Sequence, residues 1–352
     1  GRSVSQDELR PSTLSDHAAY SVEDLVHPIL IGESGQTARG LIFHAKGPDL
    51  ARLDFYQGGL GRDLLNVVAG GQTESVAVYF PARGRTAAGA PWRLEDFEAR
   101  HAVTTLVAAR QLMALFGRID PQEAALRRPM LERISARAVV HHATPPVRVR
   151  HGFDQGDVAL AAHRRCYDGF FALDELELSH KRFDGGLEGP ISRALFVSVD
   201  AAIVLPYDPA RDRVLLVEQF RAGAFLRGDP HPWKLEPVAG RIDPGETPES
   251  AARREALEEA GLGLGNLVSV SAHYPSPGAS TEFYHCFIGL CDLPDGTEGS
   301  GGLAAEAEDI RTHLLSFDGL MKLLESGEAE VGPLVLLALW LARHRADLRA
   351  AA

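Results

Sequence analysis

Cysteine is scarce in this chain: Cys166, Cys286 and Cys291 are the only three in 352 residues, and none belongs to a CxxC pair. That excludes a disulfide framework or a cysteine-built metal site and fits a reducing compartment, so a cytoplasmic location is expected. No apolar run reaches the length of a membrane span, and no signal-peptide pattern opens the chain. The apolar stretch from Pro333 to Ala342 is too short to cross a bilayer and reads as part of a buried helix. Positive charge is lacking as well. With 36 Lys and Arg against 48 Asp and Glu, the formal net charge is −12, which argues against non-specific binding to nucleic acid or to a membrane surface. A nucleotide would need metal ions and local arginines to offset its phosphates. There is no internal repeat and no long low-complexity segment, although Gly296 to Gly302 is a glycine-rich loop. The chain opens on Gly1 with no initiator methionine, as a cut or processed chain would. Its 45% apolar and 24% charged residues are those of an ordinary globular protein, long enough for two cores.

Residues 240 to 262 carry the most information. Gly240 is followed by five residues and Glu246, then by seven residues and Arg254-Glu255, then by Glu258-Glu259-x-Gly261-Leu262. Thr247 suits an N-cap, Pro248 a first helical position and Gly261 a C′ position, which predicts a helix over 248–260. On that helix Glu255, Glu258 and Glu259 share one face. Like charges so spaced repel, and a hard divalent cation would relieve them: Mg2+, or Mn2+, which bind oxygen ligands and substrate phosphates. A solvated acidic face is the plain alternative for the three glutamates alone, but Gly240, Glu246 and Arg254 at these offsets favour a metal and pyrophosphate site. The pattern resembles the Nudix box, GX5EX7REUXEEXGU with U apolar. Its soft match is Ala256, where a larger aliphatic residue is usual.

The surroundings divide into two parts. Strands are expected near 40–44 and 75–80 and helices over 93–117 and 121–137, followed by a linker around His141 to Pro146, where two prolines stop helix and ladder alike. This gives a first domain over 1–140, a linker over 141–150 and a second domain over 151–352. Beyond the linker, strand-like runs recur at 201–205, 214–218, 267–274, 282–289 and 311–316, with a tight turn at Asp208 to Asp212. Helices are expected at 248–260, 317–325 and 331–348. The fold class is therefore α/β, with a mixed sheet clamped between helices, as an α/β/α Nudix sandwich requires.

From about 163 to 350 the chain resembles bacterial ADP-ribose pyrophosphatases. The resemblance rests on Tyr167-Asp168-Gly169-Phe170-Phe171, Leu205 to Pro209, Glu218-Gln219-Phe220-Arg221, Pro232 to Glu236, Ser276-Pro277-Gly278 with Glu282, and Gly302 to Ile310. It implies that Ala239 (through its carbonyl), Glu255, Glu259 and Glu308 are metal ligands for two or three Mg2+ ions. It implies that Glu306 activates the attacking water, that Arg193, Arg221 and Glu282 contact substrate, and that Phe170 stacks near an adenine. Arg254 is expected to brace the box glutamates and Glu258 to support them. Plain alternatives are core packing for Phe170 and Phe171, surface ion pairs for Arg193 and Arg221, and a solvated loop for Glu306 and Glu308. His231 and His285 are expected to be packing or surface residues. The implied activity is hydrolysis of ADP-ribose to AMP and ribose 5-phosphate, in a homodimer that exchanges residues 155 to 195. Two other readings stay open: a hydrolase of another nucleotide sugar such as ADP-glucose or GDP-mannose, and a non-catalytic nucleotide sensor, against which the intact box argues.

Ala51 to Gly59 resembles the LD-x-x-EG signature of γ-glutamylcyclotransferase-like domains, after a strand at Gly40 to Phe43. The resemblance implies a smaller α+β barrel domain. Its fusion to a Nudix domain is associated by name with tellurite resistance. The family's catalytic glutamate falls at Gln57, and an amide cannot act as general acid or base. The family's Tyr-Gly-x-Leu loop would precede Gly1. The first domain is therefore expected to lack cyclotransferase activity and to serve packing or oligomer contacts.

Overall fold

The computed structural model describes residues 8–22, 25–58, 60–80, 89–136, 148–303 and 307–351. The expected linker at His141 to Pro146 lies outside them. Two compact units are present, Gly1–His151 with Asp168–Phe171, and Gly152–Tyr167 with Ala172–Ala352.

In the first unit, β1 (Leu9–Val22), β2 (Leu25–Phe43), β3 (Arg62–Ala69) and β4 (Gln72–Tyr79) form one antiparallel sheet in the order β2-β1-β3-β4. One sheet face buries Leu14, Ile42, Val67 and Ala69. The helices are α1 (Gly47–Tyr56), α2 (Leu94–Arg100), α3 (Ala102–Met113) and α4 (Pro121–Ala136). Phe55, Leu112, Ala124 and Leu131 make a second small core among them. Two expectations are corrected. Among the described residues the sheet is open, not a closed barrel: β1 and β2 form one long hairpin and β4 pairs only with β3. The helix expected over 93–117 is broken at His101, whose backbone leaves the helical region (φ −124°, ψ −19°).

The second unit starts with a three-stranded sheet of β5 (Val158–Asp168), β6 (Ala172–Lys181) and β7 (Leu187–Val197). The main sheet contains β8 (Ala201–Asp208), β9 (Arg213–Phe220), β10 (Trp233–Glu236), β11 (Val238–Arg241), β12 (Leu267–His273), β13 (Tyr284–Leu290), β14 (Ser300–Gly301) and β15 (Ile310–Ser316). Its path is β12-β13-β8-β9-β15-β14, with β10 on β9 and β11 on β8. It is mixed, because β13 runs parallel to β8 and the other pairs are antiparallel. The helices are α5 (Ala222–Arg227), α6 (Pro248–Ala260), α7 (Phe317–Ser326) and α8 (Gly332–Ala350).

Alternation along the central strands builds the layers. Ala202, Val204, Leu215 and Val217 face α6, against Ala251, Ala252 and Ala256. Ile203, Leu205, Tyr207, Val214 and Leu216 face α7 and α8, against Leu320, Leu334, Leu337 and Leu341. The sandwich is thus α/β/α. It also explains the soft match in the box, since Ala256 is fully buried and its small side chain lets α6 lie close to the sheet. Strand β8 runs on through Pro206 to Asp208, beyond its expected end. Proline has no N–H to give, and Pro206 falls between the residues that pair with β11 (up to Val204) and with β9 (from Tyr207). The turn after it is locked by the buried Asp208 carboxylate, which accepts from the N–H groups of Ala210, Arg211 and Leu293.

Candidate active site

Helix α6 starts and stops as its sequence dictates. Thr247 accepts from the Ser250 N–H, the Ser250 hydroxyl meets the Thr247 backbone in return, and Gly261 closes the helix in the left-handed region at φ 64°. The helix presents its glutamates beside β11.

Arg254 organises them. Its Nε and Nη2 grip the two oxygens of Glu246 at 2.9 and 3.0 Å, and Nη2 also donates to the Arg241 carbonyl at 2.9 Å. Its Nη1 donates to Glu255 at 2.7 Å and to Glu258 at 2.9 Å. The Asp243 N–H donates to Glu246 at 3.0 Å, so the loop before α6 is tied in as well. Surrounded by carboxylates, the guanidinium is held charged well above the usual arginine range. One forked cation therefore fixes three of the box glutamates.

Glu255 and Glu259 face inward. The Glu255 side chain is 14% exposed and Glu259 as a whole 2%. Glu259 accepts from the Ala239 N–H at 3.2 Å, with the Gln219 amide at 3.5 Å. Burial pushes the Glu255 carboxyl up to about 7 and the Glu259 carboxyl up to about 8; the charges of Glu258 and Glu308 add to the rise at Glu255, and those of Glu255 and Glu308 at Glu259. Arg254 opposes the shift at Glu255; the Ala239 N–H and then Arg221 oppose it at Glu259.

Two close approaches explain glycines. A Cβ on Gly240 would lie 1.8 Å from the Glu255 carboxylate, so only glycine leaves that carboxylate its place beside β11. A Cβ on Gly301 would lie 1.9 Å from the Glu259 carbonyl, and the Gly302 N–H donates to the Glu258 carbonyl at 3.1 Å. Gly301 and Gly302 are thereby pinned to the end of α6. Glu308 takes the Leu303 N–H at 3.3 Å and follows Ala307, which sits at φ 56°. Glu306 lies outside the described residues.

Arg221 grips Glu236 through two bonds, 2.9 Å from Nε and 2.5 Å from Nη2, and the charges of Glu259 and Glu308 reach it too. Glu282 is half-buried, raised by burial, and receives the Tyr284 hydroxyl at 3.1 Å. Arg193 is exposed on β7, bonded to the Ser192 carbonyl at 2.8 Å. Phe170 is 68% exposed at the β5–β6 turn, so core packing is excluded for it. Described contacts join Arg254, Glu246, Glu255, Glu258, Glu259, Glu308 and Arg221 into one constellation; none of them joins Arg193 to it. His231 is exposed, and His285 packs on Phe283 with Asp200 at 3.5 Å. Gln219 and Glu236 are partners that spacing did not single out, although both lie in the stretches that carried the family resemblance.

Among the described residues no three His, Cys, Asp or Glu side chains form a closed metal cage. The site is an open acidic face whose donors are carboxylate and peptide oxygens. That set fits a hard cation such as Mg2+, which keeps waters and takes substrate oxygens. Two carboxylates that burial raises well above the usual range, in spite of Arg254 beside one and Arg221 near the other, are the local sign of the fit.

A NUDIX domain model matches residues 197–335. The ADP-ribose pyrophosphatase of Haemophilus influenzae is 37% identical over 199 residues, 56% of this chain and 91% of that protein. The ADP-ribose pyrophosphatase of Escherichia coli K12 is 38% identical over 197 residues, covering 56% of this chain and 93% of that protein. A GDP-mannose pyrophosphatase of Escherichia coli O1:K1 is 30% identical over 180 residues, 51% of this chain and 92% of that protein. With the box geometry in place and relatives matched over nearly their whole length, the chain belongs to the Nudix family.

Proposed function

We propose that this protein hydrolyses the pyrophosphate of ADP-ribose to AMP and ribose 5-phosphate with Mg2+. The observation that carries the reading is the Arg254-braced set of Glu246, Glu255 and Glu258 beside the buried Glu259. Beside it, Ala239 (by its carbonyl), Glu255, Glu259 and Glu308 would hold two or three Mg2+ ions, or Mn2+, which when bound would neutralise the pyrophosphate and acidify a water. Glu306 takes the proton from that water as its oxygen bonds to phosphorus and the bridging P–O bond breaks. Arg221 and Arg193 meet substrate phosphate charge, Glu282 orients the substrate, and Phe170 stacks on the base.

The GDP-mannose pyrophosphatase relative supports a second reading, another nucleotide sugar at the same site. The test is AMP, GMP or phosphate release from ADP-ribose, ADP-glucose and GDP-mannose with Mg2+. ADP-ribose is expected to turn over fastest; if it is untouched while another sugar nucleotide is cleaved, the substrate assignment fails. Tight ADP-ribose binding with no turnover of any member would instead point to a sensor.

Arg254→Lys keeps the charge but loses the fork, so the three glutamates lose their common brace. Turnover is expected to fall about 10- to 100-fold, with KM changed by no more than about twofold. Steady-state kinetics check this, and an unchanged kcat would show that the brace is dispensable.

We read residues 1–140 as an inactive γ-glutamylcyclotransferase-like domain and 151–352 as the hydrolase, in a cytoplasmic homodimer. The edge position of β5, with Val158 and Leu160 exposed, supports exchange of residues 155–195 between subunits. No described helix is long and apolar enough to cross a membrane. Gln57 ends α1 as its C-cap, and no 5-oxoproline is expected from γ-glutamyl substrates, measured by chromatography; its formation would sink this part. No thiol or tellurium chemistry is encoded at the site, so a tellurite phenotype would be indirect.

A further inference from the structure

The first unit carries a partly buried polar cluster that pyrophosphate hydrolysis does not use. Arg128 lies in α4 one turn before Glu132, on the same helix face. Its guanidinium carbon stands 4.6 Å from the centre of the Tyr56 ring at the end of α1. The Tyr56 hydroxyl is 3.4 Å from His27 Nε2, and that nitrogen is 3.3 Å from Glu132. The Phe97 ring lies between His27 and His101, at 6.1 and 6.0 Å from their centres. Thr105 is one turn along α3 from His101, on the same face. Strand β2 and all four helices thus contribute to one polar cluster.

Its donors are unmet. Nε and Nη2 of Arg128, Nδ1 of His101 and Oγ1 of Thr105 are all buried without a hydrogen-bond partner. Glu132 is buried and turned to His27, so among the described residues Arg128 has no carboxylate at ion-pair distance. Burying a cation with unpaired N–H groups is costly unless something accepts them. The two open positions on Arg128 are not scattered. Nε and Nη2 are the parallel donors of one guanidinium edge, the edge that matches both oxygens of a carboxylate. Tyr56 lies against the guanidinium face and fixes the plane in which that edge points.

We infer that the first unit binds a small carboxylate, held bidentate on the Nε/Nη2 edge of Arg128. Thr105 and His101 give it further polar contacts, and Tyr56 and Phe97 take its apolar body. Gln57 follows Tyr56 at the end of α1 and supplies neither acid nor base, so the site serves binding and not turnover. The inference does not depend on the hydrolase assignment.

The test uses the full chain, titrated separately with sodium benzoate, sodium acetate and inorganic phosphate at constant ionic strength kept with chloride. Arginine Nε–H signals are followed by nitrogen-15 NMR. One signal, missing in Arg128→Lys, is expected to move and saturate with benzoate or acetate. Thr105→Val, which leaves the arginine in place, is expected to weaken that response at least tenfold. The inference is overturned if neither carboxylate saturates the signal up to roughly 50 mM. It is equally overturned if phosphate alone does so, or if the same saturable response persists in Arg128→Lys.

Discussion

Glu259→Gln is expected to lower AMP release at least about 1,000-fold and, in the same protein, to raise the thermal stability of the metal-free form at pH 8. The two effects have one cause. Glu259 is buried beside Glu255 and within reach of Glu308, and burial first and those charges second lift its carboxyl to about 8. A carboxyl raised in the folded state binds a proton there that the unfolded chain has released. Stability is therefore fully present at low pH and is lost as pH climbs from the ordinary carboxylate range toward 8. Glutamine has no charge to bury. The variant should match the wild type near pH 5 and exceed it by about 1–3 kcal/mol at pH 8.5 without metal. Mg2+ should raise the wild-type Tm more at pH 8 than at pH 6, because protons and cation compete for the same oxygens, and should barely move the variant. Melting curves in chelator and in Mg2+ across this range check it. A variant less stable than the wild type at pH 8.5 would mean that the carboxylate contributes to the metal-free fold.

Gly240→Ala should cost about 100- to 1,000-fold in kcat/KM, because a shift of about 1 Å at a catalytic group is worth that order. The added Cβ would overlap the Glu255 carboxylate at 1.8 Å, and its neighbours within β11 give no other reason for glycine, since Gly240 is not in the left-handed region. Glu255 must swing away, taking a bond to Arg254 with it. Relief comes from moving one side chain, so stability should fall by only about 1–3 kcal/mol. Gly263→Ala is the control: nothing lies within 4 Å of its Cβ, and activity should be unchanged. Near-normal activity in Gly240→Ala would show that Glu255 is not needed where it stands.

The helix that bears these glutamates was legible from its ends, since Thr247, Pro248 and Gly261 act within one turn of their own positions. So was the alternation that makes β8 and β9 central strands. The contacts that set the site were less legible, because they join distant segments. The Ala239 N–H reaches Glu259 across 20 residues, and Gly301 meets α6 some forty residues after it. In the first unit, β2 is far longer than the strand expected near 40–44 and takes in Pro28, Gly32 and Gly35. A long hairpin tolerates them because, among the described residues, β2 is an edge strand paired only with β1. The break at His101 has no proline or glycine to announce it. Shared face also overstated the likeness of the three glutamates. Glu255 and Glu259 turn inward, whereas Glu258, at 28% side-chain exposure, rests on Arg254.

The most direct test is to incubate the full chain with ADP-ribose and Mg2+ and to separate the products. AMP and ribose 5-phosphate should appear in equal amounts, and neither should form with chelator or with Glu259→Gln. Intact ADP-ribose in the presence of Mg2+, or cleavage that persists in chelator, would contradict the account.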